Sequence, residues 1–124
     1  MTLKAWAILQ GQIVQDRAHY DWYAKHPSCQ NPGGTLRHIG RVAAYGDLLD
    51  GIDRLVRRGD AADADIWTEF RADVKRDRDL FNEQAAEHGE MTGHEAQEER
   101  AYGRVEAYDE VLAYMDSAEK AAGR

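Results

Sequence analysis

The chain has one cysteine, Cys29, two prolines and no long apolar run. A lone cysteine cannot close an internal disulfide, so stability must come from a core, and a reducing, cytoplasmic setting is expected. No stretch approaches the roughly 18 consecutive apolar residues that a membrane span needs, so the expectation is a soluble chain without a membrane partner. The opening MTLKAWAILQGQIVQDR has a short apolar run, but only one early positive charge and no small-residue cleavage site. Its spacing fits a helix better than a secretory signal. The spacings that announce chemistry are missing too: there is no HExxH, no paired ExxH and no CxxC. A net charge of −7 argues against a phosphate-backbone binder, which needs a basic face. The acidic residues alternate with arginines, as in RADVKRDRD, so an unbroken acidic surface mimicking nucleic acid is excluded as well.

What is present is helical patterning. The 124 residues suit one domain with one core. Apolar residues placed at about 100° per residue draw four stripes. The first helix is expected over about 3–25, with Thr2 as N-cap and Trp6, Leu9, Ile13, Tyr20 and Tyr23 on one face. HPSCQNPGG, with both prolines and a Gly-Gly pair, ends it and makes the longest loop. Thr35 can cap a second helix over 36–58, with the stripe Val42, Tyr45, Leu49, Ile52 and Val56 and with Gly59 beyond its end.

A third helix over 64–88 opens with Asp63 and Asp65, carries Trp67, Phe70, Val74, Phe81 and Ala85, and stops near Gly89. Thr92 followed by Glu95 has capping-box spacing for a fourth helix over 93–118, with the stripe Ala101, Val105, Tyr108, Leu112 and Met115. The tail after Ser117 is expected to fray. Long helices on short connections predict an all-α, four-helix, up-and-down antiparallel bundle. No internal repeat is read from this pattern. Hairpins exchanged between two subunits would give the same one.

In that topology the turns after the first and third helices share one end. His26, Cys29, His38, His88 and His94 gather there, with His19 two turns below His26. His38 continues the Tyr45 line, His88 the Phe81 line and His94 the Ala101 line, so three imidazoles point inward. With Asp16, His19 or Glu95 completing the shell they would form a site for a divalent metal such as zinc. TLRHIGRVAAYGDLL resembles the second helix of DinB-like metal-binding bundles, a likeness that implies a metal site. The HxxxH found later in that family is absent here, and the likeness covers one helix. The alternative for these histidines is structural: helix-end dipole partners and donors to loop carbonyls.

Cys29 has no motif that fixes a base beside it, which points to a surface thiol rather than a nucleophile. The Gly33-Gly34 pair could offer backbone N–H groups to an anion, although a turn is its ordinary use. Trp22 falls opposite Leu9 and Tyr20 and is expected on the surface, where tryptophan, tyrosine and arginine together make an interface hot spot. Trp22, Tyr23, His26, Arg37 and Arg41 are accordingly the expected interface. The leading expectation is a non-enzymatic binding or assembly protein acting on a protein partner or on itself, of phage or mobile-element type. The alternative is a metal- or small-ligand-binding bundle.

Overall fold

The computed structural model describes residues 2–27, 32–60 and 63–122. Cys29, expected as a loop thiol, lies outside them. Four helices follow one another: α1 (Leu3–Ala24), α2 (Pro32–Arg57), α3 (Ala64–Gly89) and α4 (Glu95–Ala122), with no strand among the described residues. They form the expected bundle.

The helix ends correct several expectations. α1 is capped as predicted, by the Thr2 hydroxyl accepting the Ala5 N–H at 3.1 Å, and Asp63 caps α3 by accepting the N–H of Asp65 at 2.9 Å. α2 begins earlier than expected, at Pro32, and Thr35 lies inside the first turn. Proline is well placed at a first helical position, where its missing N–H has no partner to lose and its φ is already helical. Gly33 and Gly34 are thus helical, not a turn. Gly93, at φ 86°, turns the chain sharply before α4, a conformation that favours glycine. His94 rather than Thr92 therefore stands at the N-cap, its carbonyl accepting the N–H of Glu98 at 3.0 Å. Gly59, at φ 76°, follows α2 as expected. α3 continues through Gly89, and α4 runs past Ser117 to Ala122.

The core is Trp6, Leu9 and Ile13 of α1, Ala44, Tyr45, Leu48 and Ile52 of α2, Trp67, Phe70 and Val74 of α3, and Ala107, Tyr108, Val111, Leu112 and Met115 of α4. Val56, expected inside, is 41% exposed. The layout is not a square of sequence neighbours. α2 packs most extensively on α4, to which it runs parallel, while α1 lies against α2 and α3 against α4. The α2–α4 contact is very close: a Cβ on Gly40 would sit 2.1 Å from the carbonyl oxygen of Arg100, and one on Gly103 would sit 2.0 Å from that of Arg37.

Those two contacts are the same contact seen from either side, and they expose a repeat. A shift of 63 positions carries Gly40 onto Gly103, and with it Arg37, Arg41, Val42, Ala44, Tyr45, Leu49 and Asp53 onto Arg100, Arg104, Val105, Ala107, Tyr108, Leu112 and Asp116. A shift of 61 carries Trp6, Asp16, Arg17 and Ala24 onto Trp67, Asp77, Arg78 and Ala85.

The geometry repeats with the residues. Arg41 approaches the Tyr45 hydroxyl at 3.5 Å and lies 4.2 Å from the centre of the Tyr20 ring, while Arg104 approaches the Tyr108 hydroxyl at 3.4 Å and lies 4.7 Å from the Phe81 ring centre. Tyr20 stacks on Tyr45 at 6.2 Å and Phe81 on Tyr108 at 5.9 Å. Trp6 and Trp67 meet each other edge-to-face at 4.9 Å. The two hairpins are related by a pseudo-twofold running along the bundle, and the expectation of no repeat is overturned. Hydrophobic periodicity treats each helix singly and cannot register that two helices share contact residues.

Candidate functional site

The expected metal shell does not assemble. His88, in the last turn of α3, and His94, at the α4 N-cap, do meet, with Nδ1 to Nδ1 at 3.0 Å, so one imidazole N–H donates to the other ring. His38 instead stacks on Tyr20 at 5.2 Å and tilts against Tyr23 at 5.5 Å. His19 has its edge contacts with the same two tyrosines. Asp16 accepts a short hydrogen bond from the Tyr114 hydroxyl. Among the described residues no three His, Cys, Asp or Glu side chains converge as a metal shell requires. The Nδ1 of His38 is buried without a hydrogen-bond partner. Burial first, then the positive charge of Arg41, holds the imidazole below its ordinary pKa and keeps it neutral.

The expected interface also divides. Arg37 is ion-paired with Glu99 and Glu106, the latter at 3.1 Å, and Arg41 pairs with Glu106 at 2.9 Å. These ion pairs tie α2 to α4 beside the glycine contact, and leave the Arg37 side chain 42% exposed and that of Arg41 13% exposed. Trp22 is on the surface as expected, 49% exposed. His26 stacks on it at 4.0 Å and donates its Nδ1–H to the Trp22 carbonyl at 2.6 Å, fixing the indole in place. Tyr23 is half-buried beneath.

Trp22 belongs to a longer feature. Ala7, Gly11, Val14, Ala18 and Trp22 recur at spacings of three and four, so they form one strip along α1, turned away from Leu9 and Ile13. All five are exposed, and Ile8 on the strip's edge is 52% exposed. Nothing lies within 4 Å of a Cβ placed on Gly11. The repeat supplies a control for what this face would otherwise contain. The equivalent α3 positions are Thr68, Ala72, Lys75, Asp79 and Glu83, with Glu69 in place of Ile8, and all are exposed. The same surface in the same fold is charged in one hairpin and apolar in the other.

The pseudo-symmetry breaks in a second place. Between α1 and α4, the Tyr114 hydroxyl reaches Asp16 and closes the groove. At the equivalent place between α2 and α3 stand Gly51 and Asp77, and a cavity of about 630 Å³ opens there. Leu48, Phe70, Val74 and Phe81 line it, with Arg54 and Arg58 at one end and Arg104 towards the other. Such a volume is within the range of small-molecule sites.

Comparison with protein-family models, with curated proteins and with solved structures gives no match. The likeness of TLRHIGRVAAYGDLL to DinB-like bundles thus gains no support, and the repeat accounts for the same residues. RHIGRVAAY returns in α4 as RAYGRVEAY; in both helices the glycine makes the close α2–α4 contact, and the tyrosine stacks on an aromatic ring of its own hairpin. Ile8, Val14, Ala18, Gly51 and Tyr114 are candidate residues that the apolar periodicity of single helices does not pick out. Aligning the two halves is the signal that would have found them.

Proposed function

We propose that the protein works as a non-catalytic binding module that docks another protein chain on the outward face of α1. One observation carries this reading: Ile8, Val14, Ala18 and Trp22 are exposed where the equivalent α3 positions hold Glu69, Lys75, Asp79 and Glu83. The α3 residues demonstrate that this surface tolerates charge, so the apolar α1 set is not required by the fold. Contiguous exposed apolar side chains, one of them a held tryptophan, are the composition of a docking surface.

The test exchanges the faces. An Ile8→Glu, Val14→Lys, Trp22→Glu variant, with helicity verified by circular dichroism, is compared with the parent chain by native mass in cell extract. The parent is expected in an assembly larger than one chain, and the variant is expected to leave it. An identical mass for both would refute the reading.

A second reading has its own observation, the α2–α3 cavity that exists because Gly51 stands where Tyr114 stands in the other half. It would admit a small amphipathic molecule, its apolar part over Phe70 and Val74 and a polar end among Arg54, Arg58 and Asp73. Gly51→Tyr should close the cavity, and any ligand that raises the melting temperature of the parent should then lose its effect.

A further inference from the structure

Resting on the α1 reading above, we infer that the occupant of this face is a second copy of the same chain, with the two α1 helices antiparallel and crossing near residue 13. Three features point to self-pairing. The chain carries a charge of −7, so two copies repel wherever charged surfaces meet. Residues 5–15 contain no charged side chain, the longest such stretch in any of the four helices. The α1 face is therefore the surface on which two copies can approach without that repulsion.

The charges that flank the strip select the direction. Lys4 stands at one end and Asp21 beside Trp22 at the other, with Asp21 also held by Lys25 at 2.8 Å. A parallel pair would place Lys4 against the partner's Lys4 and Asp21 against the partner's Asp21. An antiparallel pair centred near residue 13 brings Lys4 to the partner's Asp21–Trp22 turn, where a carboxylate and an indole face both suit an ammonium group. A twofold interface requires this reciprocity, since each contact must occur twice with the roles exchanged.

Shape agrees with charge. In the same register Ile8 meets the partner's Ala18, Gly11 meets the partner's Gln15, and Val14 lies next to the axis against its own copy. Small residues at Ala7, Gly11 and Ala18 leave room for the larger Ile8 and Val14 of the other chain. This chain already uses the device once: between α2 and α4, Gly40 lies against the backbone of Arg100 and Gly103 against that of Arg37, contacts that only glycine allows. The strip from residue 3 to residue 22 is about 28 Å long at the α-helical rise. Covering it would leave α1 buried on both faces, the usual setting for a helix with so little polar surface.

The experiment uses the purified full-length chain. Sedimentation analysis across micromolar to millimolar concentration is expected to show a monomer–dimer equilibrium, and Ile8→Glu with Val14→Lys to weaken the dimer about 100-fold or more. For direction, Cys29→Ser removes the native thiol and single cysteines are then introduced. A mixture of Lys4→Cys chains and Trp22→Cys chains should cross-link between the two kinds. Leu3→Cys chains alone should not, because their thiols lie about 30 Å apart in the antiparallel pair. A monomer at every concentration, or cross-linking of Leu3→Cys chains with themselves, would overturn the inference. Should the purified chain stay monomeric while the face-exchanged variant still loses its assembly in extract, the second copy is refuted and the docking reading survives. If neither measurement changes, both are refuted.

Discussion

The two hairpins carry one framework and opposite surfaces. α1–α2 and α3–α4 share the tryptophan at the shared end, the Arg-Tyr-aromatic stack and the glycine that brings α2 onto α4. α1 nevertheless has four Lys, Arg, Asp and Glu residues where α3 has eleven. The second hairpin is also stitched across its faces. Trp67 Nε1 donates to Glu119 at 2.9 Å, and Arg71 pairs with both Asp116 and Glu119. At the matching places the first hairpin has Trp6, Gln10, Asp53 and Val56, and Asp53 turns to Arg57 of its own helix. Features present in both halves serve the fold, and features confined to one half are the candidates for function or for local stability.

The shared part breaks hardest. Gly40→Ala or Gly103→Ala places a methyl group against a backbone carbonyl, so the two central helices must separate. Each should cost about 3 kcal/mol of unfolding free energy in urea titration. Gly46→Ala is the control, since its Cβ would meet only the Arg17 guanidinium at 3.7 Å. A gain of about 0.5–1 kcal/mol is expected there, because alanine is the better helix former. Equal losses at Gly40 and Gly46 would remove the α2–α4 contact as the centre of the fold.

Tyr114 and Gly51 mark the next difference. Tyr114→Phe leaves Asp16 without its donor and should cost about 1–2 kcal/mol. Burial, then the neighbouring Asp16, holds the Tyr114 phenol well above the usual tyrosine range; burial does the same for Tyr45 and also raises Tyr108. A raised pKa in the fold means the unfolded chain releases these protons first. Stability is therefore complete below about pH 10, the unfolded value, and falls as pH rises beyond it. Alkaline melting curves should show that fall, less steeply in Tyr114→Phe; an unchanged slope would separate Tyr114 from the effect.

The clamp confined to the second hairpin is worth less. Burial raises the Glu119 pKa, but the hydrogen bonds from Arg71 and Trp67 outweigh it and the net shift is downward. Its contribution is present above the ordinary carboxylate range and is lost as pH falls through the folded value. Because Arg71 and Glu119 are partly open to water, Glu119→Gln should cost about 1 kcal/mol or less in thermal melts. Gln10, its pseudo-equivalent partner position on α1, should give no loss on substitution by alanine.

The smallest effect belongs to His38, which matches Ala101 in the repeat. Its pKa is lowered in the fold, so below about pH 6.5, the unfolded value, the unfolded chain takes up a proton that the fold resists. Stability should decline as pH falls from there, and His38→Ala should flatten that decline. An unaltered pH dependence between about 5 and 6.5 would show that His38 is not its source.

Much of this was written in the periodicity. Apolar spacing located four helices, and local chemistry placed Thr2, Asp63 and Gly59 at their ends. It also put Trp22 on the surface and the histidines towards one end of the bundle, because each such inference needs only neighbours within a turn or two. It misplaced the starts of α2 and α4, where proline and glycine backbone preferences outweighed side-chain caps. The repeat, too, stood in the sequence, in RHIGRVAAY and RAYGRVEAY, but its meaning lay in a contact between helices 63 positions apart.

The amino-acid sequence by itself therefore determined the helices, their amphipathic faces and the class of bundle, all properties of short-range spacing. Only tertiary structure decided which helices are neighbours, that Arg37 and Arg41 form ion pairs with α4, and that His38 stays away from the His88–His94 pair. It also decided that one groove closes over Asp16 while its twin remains open. Those outcomes depend on long-range packing, above all around Gly40 and Gly103, where the absence of two methyl groups lets α2 and α4 meet.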